Sequence, residues 1–530
     1  MTDAMFHLDA VARSVPEPVL PPDTLNFHIS GILRATRPFL DTDHDWILPN
    51  IEVLQQQISM YDALLDRIDE IRSEMQSHRD VVHKSLVAYS STLAPIRRLP
   101  TEILGAVFRS VQTSLSWKTE RSGWDGPEAL DFSRGPWKLS HVCGAWRDIV
   151  LSYPQLWSHI VLQYHWTDCP TETLHHTVPA LEAMILRSAQ HPLDITFDLQ
   201  YINNEDAAIR AFSVILEESY RWRSIDLQIP LTLLEQLKVV RGKISCLESL
   251  TMKTSFIPSS SREGLPEEVR SAFIDAPRLQ KVTLHHTNGF GAFMFPLHIA
   301  RLAAFMDNVS NLEVYQSLVE CHLLVDPPSG PNIVFTHHID LPNLRRLFVS
   351  SPHLLSYLRL PSLDDLMICS FNASDMHSVV VVMNEFVRRS RCTLTSLAIH
   401  NPVAFHQVFI KDCLLLMDSL VSLEISLFWN VEANVIFDAL ASIGFLPNLQ
   451  HLSLGVPFAP PSLWDPLAAM LGSRSQYLRS VKISCGRFDN VDGINEHLAP
   501  LWPSGLPVVV SMERNDDYDA MSCFGNFKCA

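Results

Sequence analysis

The sequence predicts an α/β protein in which a long helix leads into a short all-α module and then into an irregular solenoid of strands and helices. Three observations predict this order. Apolar residues recur every three or four positions after Asn50, two short apolar segments follow between residues 95 and 158, and one short apolar phrase recurs through most of the remaining chain.

Composition restricts the class of protein and its partners. The 530 residues carry 41 Lys and Arg against 58 Asp and Glu, a net charge of −17, and such an acidic surface repels nucleic acid. The N-terminus lacks a signal-peptide core and no stretch reaches 18 apolar residues, so we expect a protein of the cytoplasm or nucleus that does not enter a membrane. Ten singly scattered cysteines favour reduced thiols.

The first two predicted regions are residues 1–48 and residues 49–92. Proline and acidic interruptions without periodicity predict a flexible arm over 1–48 that leaves room for one short helix. A seven-residue apolar pattern, broken at Arg72, predicts a helix over 49–92. Its apolar positions are Ile51, Leu54, Ile58, Tyr61, Leu65, Ile68 and Met75. Two interpretations stay open: a coiled coil that forms a homodimer, or a helix that packs this stripe on the neighbouring domain.

Residues 95–158 predict a short helical module. Pro100 suits the first turn of a helix, and Glu102 lies where a helix start attracts negative charge. One apolar stripe follows at Ile103, Leu104, Val107 and Phe108, and a second at Leu139, Val142, Cys143, Trp146 and Ile149. Two short helices cannot bury stripes this wide by themselves, so part of this surface should contact a partner protein.

The sequence of this module resembles the F-box, in particular the F-box-like proteins of mushroom-forming fungi. The resemblance lies in LPTEIL at 99–104, VCGAWR at 142–147 and PQLW at 154–157, and the loop 112–135 departs from it by its length. It implies a non-catalytic substrate receptor that binds a Skp-type adaptor and, through it, a cullin–RING ubiquitin ligase. The adaptor contacts that it implies are Leu99, Pro100, Ile103, Leu104, Val107, Phe108, Leu139, Val142, Cys143 and Trp146.

Residues 159–505 contain a recurring phrase of the form LxxLxL, which returns about every 28 residues and is typical of leucine-rich repeats. Clear copies begin at Trp222, Leu247, Leu279, Leu344, Leu363, Leu394, Leu420, Leu449 and Leu478. A degenerate copy is Leu312-Glu313-Val314, residues 156–162 and 193–199 are candidate opening strands, and 506–530 is read as a final strand and tail. Helix-like stretches between the phrases, such as 299–309 and 435–443, predict one strand and one helix per repeat.

The outward positions of the predicted strands are the candidate surface for an unidentified protein cargo. The two-residue period of each LxL directs its apolar side chains into the core and the intervening side chains outward. The candidate cargo residues are Arg346, Phe348, Asp365, Met367, His400, Glu424 and His451. Phe348 and Met367, on neighbouring rows, are expected to be exposed anchors.

Signatures of an enzyme are absent from the sequence. It contains no GxSxG, HExxH or phosphate-binding loop, and the pairs at 175–176, 285–286 and 337–338 offer histidines without a third ligand at metal spacing. We therefore expect no catalysis, cofactor or metal site. The alternative to a ligase receptor is a ligase-independent scaffold for protein interactions, dimeric through the long helix; an enzyme with an unrecognised site would require a deep polar pocket with perturbed pKa values.

Overall fold

The computed structural model describes residues 2–34, 36–114, 135–163, 171–198, 205–254, 265–285, 293–305, 309–324, 338–369, 376–400, 411, 414–426, 430–456, 464–485 and 507–512. These residues form two compact units, unit 1 from Met1 to Leu104 and unit 2 from Gly105 to Ala530. In the described part of the chain, no helix combines the length and the apolar character needed to cross a bilayer.

Unit 1 is helical. Its helices are α1 (Thr2–Arg13), α2 (Asp23–Leu33) and the long α3 (Asp41–Thr92), followed by a 3-10 turn at Pro95–Arg98. The predicted long helix is confirmed, but it starts at Asp41 and contains Pro49. Helices also occupy much of residues 1–48, where the sequence predicted a flexible arm.

The start of α3 is set by Asp43. Its carboxylate accepts a hydrogen bond from the Leu40 N–H at 2.9 Å and forms an ion pair with Arg37 at 2.8 Å. The hydrogen bond from Leu40, together with Arg37, holds the pKa of the Asp43 carboxyl below its usual value. A carboxylate in the first turn also complements the positive end of the helix, which explains why α3 begins before the apolar pattern does.

A short set of helices leads into unit 2. Helix α4 (Thr101–Ser114) begins in unit 1 and continues into unit 2. Helices α5 (Gly135–Ser140) and α6 (Gly144–Ser152) and a 3-10 turn at Pro154–Leu156 follow, and the chain then enters the first strand.

Fourteen strands in the described part of unit 2 form one parallel sheet, and two short strands form a second ladder. In chain order the strands are β1 (His159–Gln163), β2 (Leu193–Asp198), β3 (Trp222–Ile229), β4 (Ser249–Thr254), β5 (Lys281–His285), β6 (Arg301–Phe305), β7 (Glu320–Leu324), β8 (Ile339–Asp340), β9 (Arg346–Val349), β10 (Leu358–Arg359), β11 (Asp365–Cys369), β12 (Ser396–His400), β13 (Ser422–Ser426), β14 (His451–Val456), β15 (Ser480–Cys485) and β16 (Val508–Met512). β8 pairs with β10, and the other strands pair in sequence order. A parallel sheet that grows by one strand per crossover is solenoid-like.

Helices connect the strands mainly at the two ends of this sheet. They are α7 (Thr171–Arg187), α8 (Glu205–Glu217), α9 (Leu231–Leu234), α10 (Glu267–Arg270), α11 (Met376–Ser390), α12 (Asn430–Ala441) and α13 (Trp464–Arg474). In the middle, short 3-10 turns at Val309–Leu312 and Pro352–Tyr357 take their place. In the connections that the structure describes, the predicted strand and helix alternation therefore holds at the ends and gives way to tighter turns between β5 and β11.

The core contains a continuous row of apolar side chains, one from each of the eleven strands of the large sheet from β3 to β15. The strand register joins the first apolar position of every LxL phrase to its neighbour on both sides. The row contains Ile225, Leu250, Val282, Leu302, Cys321, Leu347, Leu366, Leu397, Leu423, Leu452 and Val481, and each is at most 2% exposed. Burial raises the pKa of the Cys321 thiol, so that cysteine behaves as a small apolar side chain.

The prediction for residues 299–314 is wrong in two respects. The stretch 299–309, predicted as helix-like, contains β6, and the degenerate phrase at Leu312 forms a 3-10 turn before β7. Three consecutive residues of β6, Leu302, Ala303 and Ala304, are all buried, so this strand lacks the alternation that identifies a strand in a sequence.

Two buried arginines and one partly exposed arginine, Arg389, join neighbouring connections on the helical side of the sheet. Arg474, 2% exposed at the end of α13, donates hydrogen bonds to the carbonyls of Leu440, Ser442, Phe445 and Leu446 around the end of α12. Arg221 donates in the same way to carbonyls around the end of α7, and Arg389 to those of Leu355 and Leu358. Each guanidinium adds a charged donor to carbonyls at a helix end or turn.

Candidate functional site

The short helical module is held together in unit 2 by aromatic packing. Phe108 of α4 is fully buried and packs on Trp146 of α6, with ring centroids 4.8 Å apart. The α4 backbone approaches closely enough at Gly105 that a Cβ atom there would lie 2.7 Å from the Tyr153 ring. Small and aromatic residues therefore fix how α4 packs on the later helices of the module.

The closing PQLW segment anchors the module to the sheet. Trp157 is buried, and its Nε1–H donates to the carbonyl of Val150 at 2.9 Å. Its ring meets that of Trp137 edge to face, with centroids 5.0 Å apart, and the guanidinium of Arg187 from α7 lies about 4.5 Å from the centroids of both rings. Cation–π contacts thus connect the module to α7, the helix between the first two strands of the sheet.

Apolar side chains of residues 95–158 remain exposed in both units. Leu99 is 38% exposed, Ile103 50%, Val107 37% and Val142 56%, and Pro100 is exposed as well. Ile103 and Val107 are four residues apart in α4, so their side chains lie on one face of that helix, one turn apart. Apolar side chains at this exposure remain available to a partner protein.

Leu104 and Phe108, two of the predicted adaptor contacts, are not exposed in the structure. Leu104 is 5% exposed and Phe108 is 1% exposed. Successive helical residues differ by about 100° in direction, so a stripe at i, i+1, i+4 and i+5 has two edges. In α4 one edge, Ile103 and Val107, faces outward, and the other is buried.

The second predicted stripe does not lie on one helix. α5 ends at Ser140, and α6 begins at Gly144 after Cys143, whose backbone is extended. The Nε–H of Arg147 donates to the Ser140 carbonyl at 3.0 Å and bridges this break. Val142 therefore projects from the turn, while Leu139, Cys143 and Trp146 are only partly exposed and Ile149 is buried.

The inserted loop predicted at 112–135 is described only at its two ends. Residues 112–114 belong to the last turn of α4, and residue 135 begins α5. The residues between them, 115–134, lie outside the described part of the chain.

The candidate cargo residues lie on the face of the sheet opposite the leucine core. The register places Arg346 beside Asp365, Phe348 beside Met367, and Ala398 beside Glu424. Arg346, Asp365, Met367 and Glu424 are partly exposed, and His451 is exposed. The structure therefore brings most of the predicted set onto one face.

Two of these predictions are wrong about exposure. Phe348 is 2% exposed, because it stacks on His322 at 5.4 Å and packs with Ala303, Leu324 and Cys369, with Met367 at the edge of the cluster. His400 is 6% exposed, and its Nε2 lies 3.6 Å from the Glu424 carboxylate. Neighbouring strands lie about 4.8 Å apart, so large side chains on adjacent rows cover one another.

A charged cluster that the sequence did not reveal lies beside this apolar cluster. Glu320 of β7 is 2% exposed, and its carboxylate lies 3.6 Å from Arg301, 3.9 Å from Arg346 and 3.3 Å from His322. Because residues 299–309 were predicted as a helix, Arg301 was not placed on a strand of the sheet. For β7 the sequence did offer a signal, since polar and apolar residues alternate from Glu320 to Leu323.

The charged cluster opens into a surface depression of about 550 Å³ at the amino ends of the strands. Arg301, Ser317, Asn343, Arg345 and Asp364 are among its lining residues, together with Glu320 and Arg346. Basic, acidic and amide groups alternate around it, so it offers donors and acceptors to a polar peptide and no strong field of one sign.

Within the described residues, no group of three His, Cys, Asp or Glu side chains is arranged to hold a metal ion. The three histidine pairs named from the sequence are described only in part. The structure does not describe the side chains of His175 and His176, nor the residues His286 and His337.

Comparison with known proteins adds no relatives. No protein-family model matches the chain, and no curated protein of similar sequence was found.

Proposed function

We propose that the chain is a substrate receptor of a Skp–cullin–F-box ubiquitin ligase. In this proposal residues 95–158 are an F-box that binds a Skp-type adaptor, and the parallel sheet of unit 2 is a leucine-rich-repeat solenoid that binds a protein cargo. The receptor itself is not an enzyme: it holds the cargo near the ubiquitin carrier, and the effect on rate comes from proximity.

The observation that carries the proposal is the division of apolar residues in the helical module. Within α4, the side chains of Leu104 and Phe108 are buried, whereas those of Ile103 and Val107 remain exposed. Large apolar side chains grouped on the surface of a packed module support a docking face. The F-box resemblance supplies the identity of the partner that this face would bind.

The sheet supports the second half of the proposal through its shape and chemistry. One face buries the leucine row, and the other presents Arg346, Asp365 and Glu424 around a compact apolar cluster. A wide face with mixed charge and an apolar centre suits a folded or extended protein ligand more than a small molecule. The cargo would contact Met367 at the apolar edge and the charged depression beside it.

The test is binding of the full chain to a Skp-type adaptor. The double variant Leu99→Ala with Ile103→Ala removes two exposed side chains from the proposed contact, and we expect affinity to fall on the order of 100-fold, since about 3 kcal/mol of apolar contact is lost. The matched control is Leu186→Ala with Val314→Ala, two exposed apolar residues elsewhere. Loss in the first variant alone supports the proposal; a wild-type chain that binds no adaptor contradicts it.

The alternative function is a ligase-independent scaffold for protein interactions. The observation that favours it is the exposed apolar stripe of α3. Affinity purification distinguishes the two functions, since a scaffold would retain its partners in the Leu99→Ala, Ile103→Ala variant and would capture no cullin with either chain.

A further inference from the structure

The apolar stripe of α3 has a covered section and an uncovered section. Near the start, residues 16–19 lie along the helix: the N–H of Val19 donates to the side chain of Gln57 at 2.8 Å, the Gln57 amide donates back to the Val19 carbonyl at 2.9 Å, and the Tyr61 hydroxyl donates to the Pro16 carbonyl. Every residue from 62 to 90 is exposed. The section after Tyr61 therefore lacks a cover within the described part of unit 1.

The uncovered section continues the seven-residue pattern to the end of the helix. Beyond Leu65, Ile68 and Met75, the same two heptad positions hold Val82, Leu86 and Tyr89, interrupted only by Arg72 and Arg79. All six apolar side chains are more than half exposed. A shallow groove of about 500 Å³ runs along this face, lined by Ile68, Ile71, Arg72, Met75, Gln76 and Arg79. In a coiled coil, side chains at such spacing on one helix form a hole, and a side chain of the second helix fills it.

The distribution of charged residues along α3 indicates which helix could cover this section and in which direction that helix would run. From Asp41 to Glu70 the helix carries eight acidic side chains and one arginine, whereas residues 71–92 carry three basic side chains and two histidines against two acidic ones. In a parallel pair of two copies, the acidic half would face its own copy, and Arg72 and Arg79 would each face an identical arginine. An antiparallel pair of the uncovered sections sets each arginine opposite an apolar residue, and it brings residues 62–70, with four acidic side chains, against residues 84–92, with one lysine and no acidic side chain.

We propose that α3 forms an antiparallel coiled coil with α3 of a second copy of this chain, centred on Ser77. In this register Leu65 faces Tyr89 of the second copy, Ile68 faces Leu86, Arg72 faces Val82 and Met75 faces Arg79. The four layers use the uncovered section alone and leave residues 16–19 in place. The inference does not rest on the proposed receptor function, because it uses no residue of 95–158.

The first test measures the mass and the orientation of the full chain in solution. Light scattering is expected to give twice the 59.9 kDa of one chain. Spin labels carried by an unnatural amino acid, placed one at a time at the exposed positions Ala63, Ser77 and Lys84, report the direction. With a rise of about 1.5 Å per residue, the axial separations of the two labels are expected to be about 42 Å, 0 Å and 21 Å respectively. Equal separations at all three sites, or a mass of one chain, overturn the proposal.

The second test changes the stripe. Ile68→Glu with Leu86→Glu places two carboxylates in one proposed layer and is expected to yield a single-chain mass, whereas Ser73→Glu with Ser77→Glu adds the same charge on the opposite face and should leave the pair intact. Arg72→Leu with Arg79→Leu removes the two interruptions and is expected to lower the dissociation constant at least tenfold. A stripe variant that keeps the doubled mass, or a leucine variant that dissociates more readily, contradicts the pairing.

Adaptor binding measured on the same variants separates the two proposals. If the stripe variant becomes a single chain and still binds the adaptor, both proposals stand. If the wild type has a single-chain mass and binds the adaptor, the pairing alone fails.

Discussion

The long helix of unit 1 and the parallel sheet of unit 2 use similar apolar residues in opposite ways. Leu65 and Ile68 of α3 are 60% and 53% exposed, whereas Leu423 and Ile425 of β13 are fully buried. A strand inside a stacked array has a neighbour of the same chain on both sides, so its apolar positions are covered as the array grows. A single helix has no such neighbour along its stripe, and its apolar residues stay available for another molecule.

The largest expected effect concerns the helical layer of the sheet. Arg474→Met should lower the free energy of unfolding of unit 2 by about 4 kcal/mol, because four carbonyls around the end of α12 lose a buried, charged donor. Chemical denaturation followed by tryptophan fluorescence measures the change. Arg479→Met, which alters an exposed arginine of the same unit, is the control and should change stability by less than about 0.5 kcal/mol. Equal effects would mean that Arg474 does not join the two connections.

A matched pair of leucines tests the comparison itself. Leu423→Ala should cost about 3 kcal/mol, since it leaves a cavity in the continuous row, whereas Leu65→Ala should change unfolding by less than about 0.5 kcal/mol. Thermal unfolding of each full-length variant, at a concentration too low for association, provides the measurement. A large loss for Leu65→Ala would show that α3 is covered within its own chain.

The helical module between these regions gives a smaller expected effect. Gly105→Ala brings a Cβ atom to 2.7 Å from the Tyr153 ring, a clash that costs about 2 kcal/mol and is offset by about 1 kcal/mol of helix propensity. The net loss should therefore be about 1 kcal/mol. Gly144→Ala, where no atom lies within 4 Å of the new Cβ, should be neutral or slightly stabilising. Equal free energies of unfolding for the two variants would contradict the close approach of α4 to Tyr153.

The smallest expected effect is a pH dependence at the start of α3. The pKa of Asp43 is lowered in the folded protein, so its stabilising contribution is present at neutral pH and is lost as pH falls below its ordinary value of 3.8 towards the folded pKa. Asp43→Asn should therefore shorten the helix at pH 7 and make no difference in strong acid. Circular dichroism of wild type and variant across this range measures it, and a difference that persists at the acid end would contradict the assignment.

The sequence predicted those parts of the fold that repeat. Each clear phrase, from Trp222 to Leu478, marks a strand of the sheet, because two apolar residues separated by one position leave a period that survives variation elsewhere. The prediction failed between residues 299 and 314, where consecutive buried residues remove that period. In the candidate site, the spacing of the α4 stripe was visible in the sequence, but the identity of its exposed edge was not, and the burial of Phe348 depends on His322 and Leu324 from the neighbouring strand, which no local pattern reports.

The most direct measurement of the central claim is hydrogen–deuterium exchange over residues 95–112 with and without a Skp-type adaptor. The account predicts that amides from Leu99 to Val107 exchange more slowly once the adaptor covers their exposed apolar face, while those of the leucine row in the sheet do not change. Unchanged exchange in this segment at saturating adaptor would contradict the account.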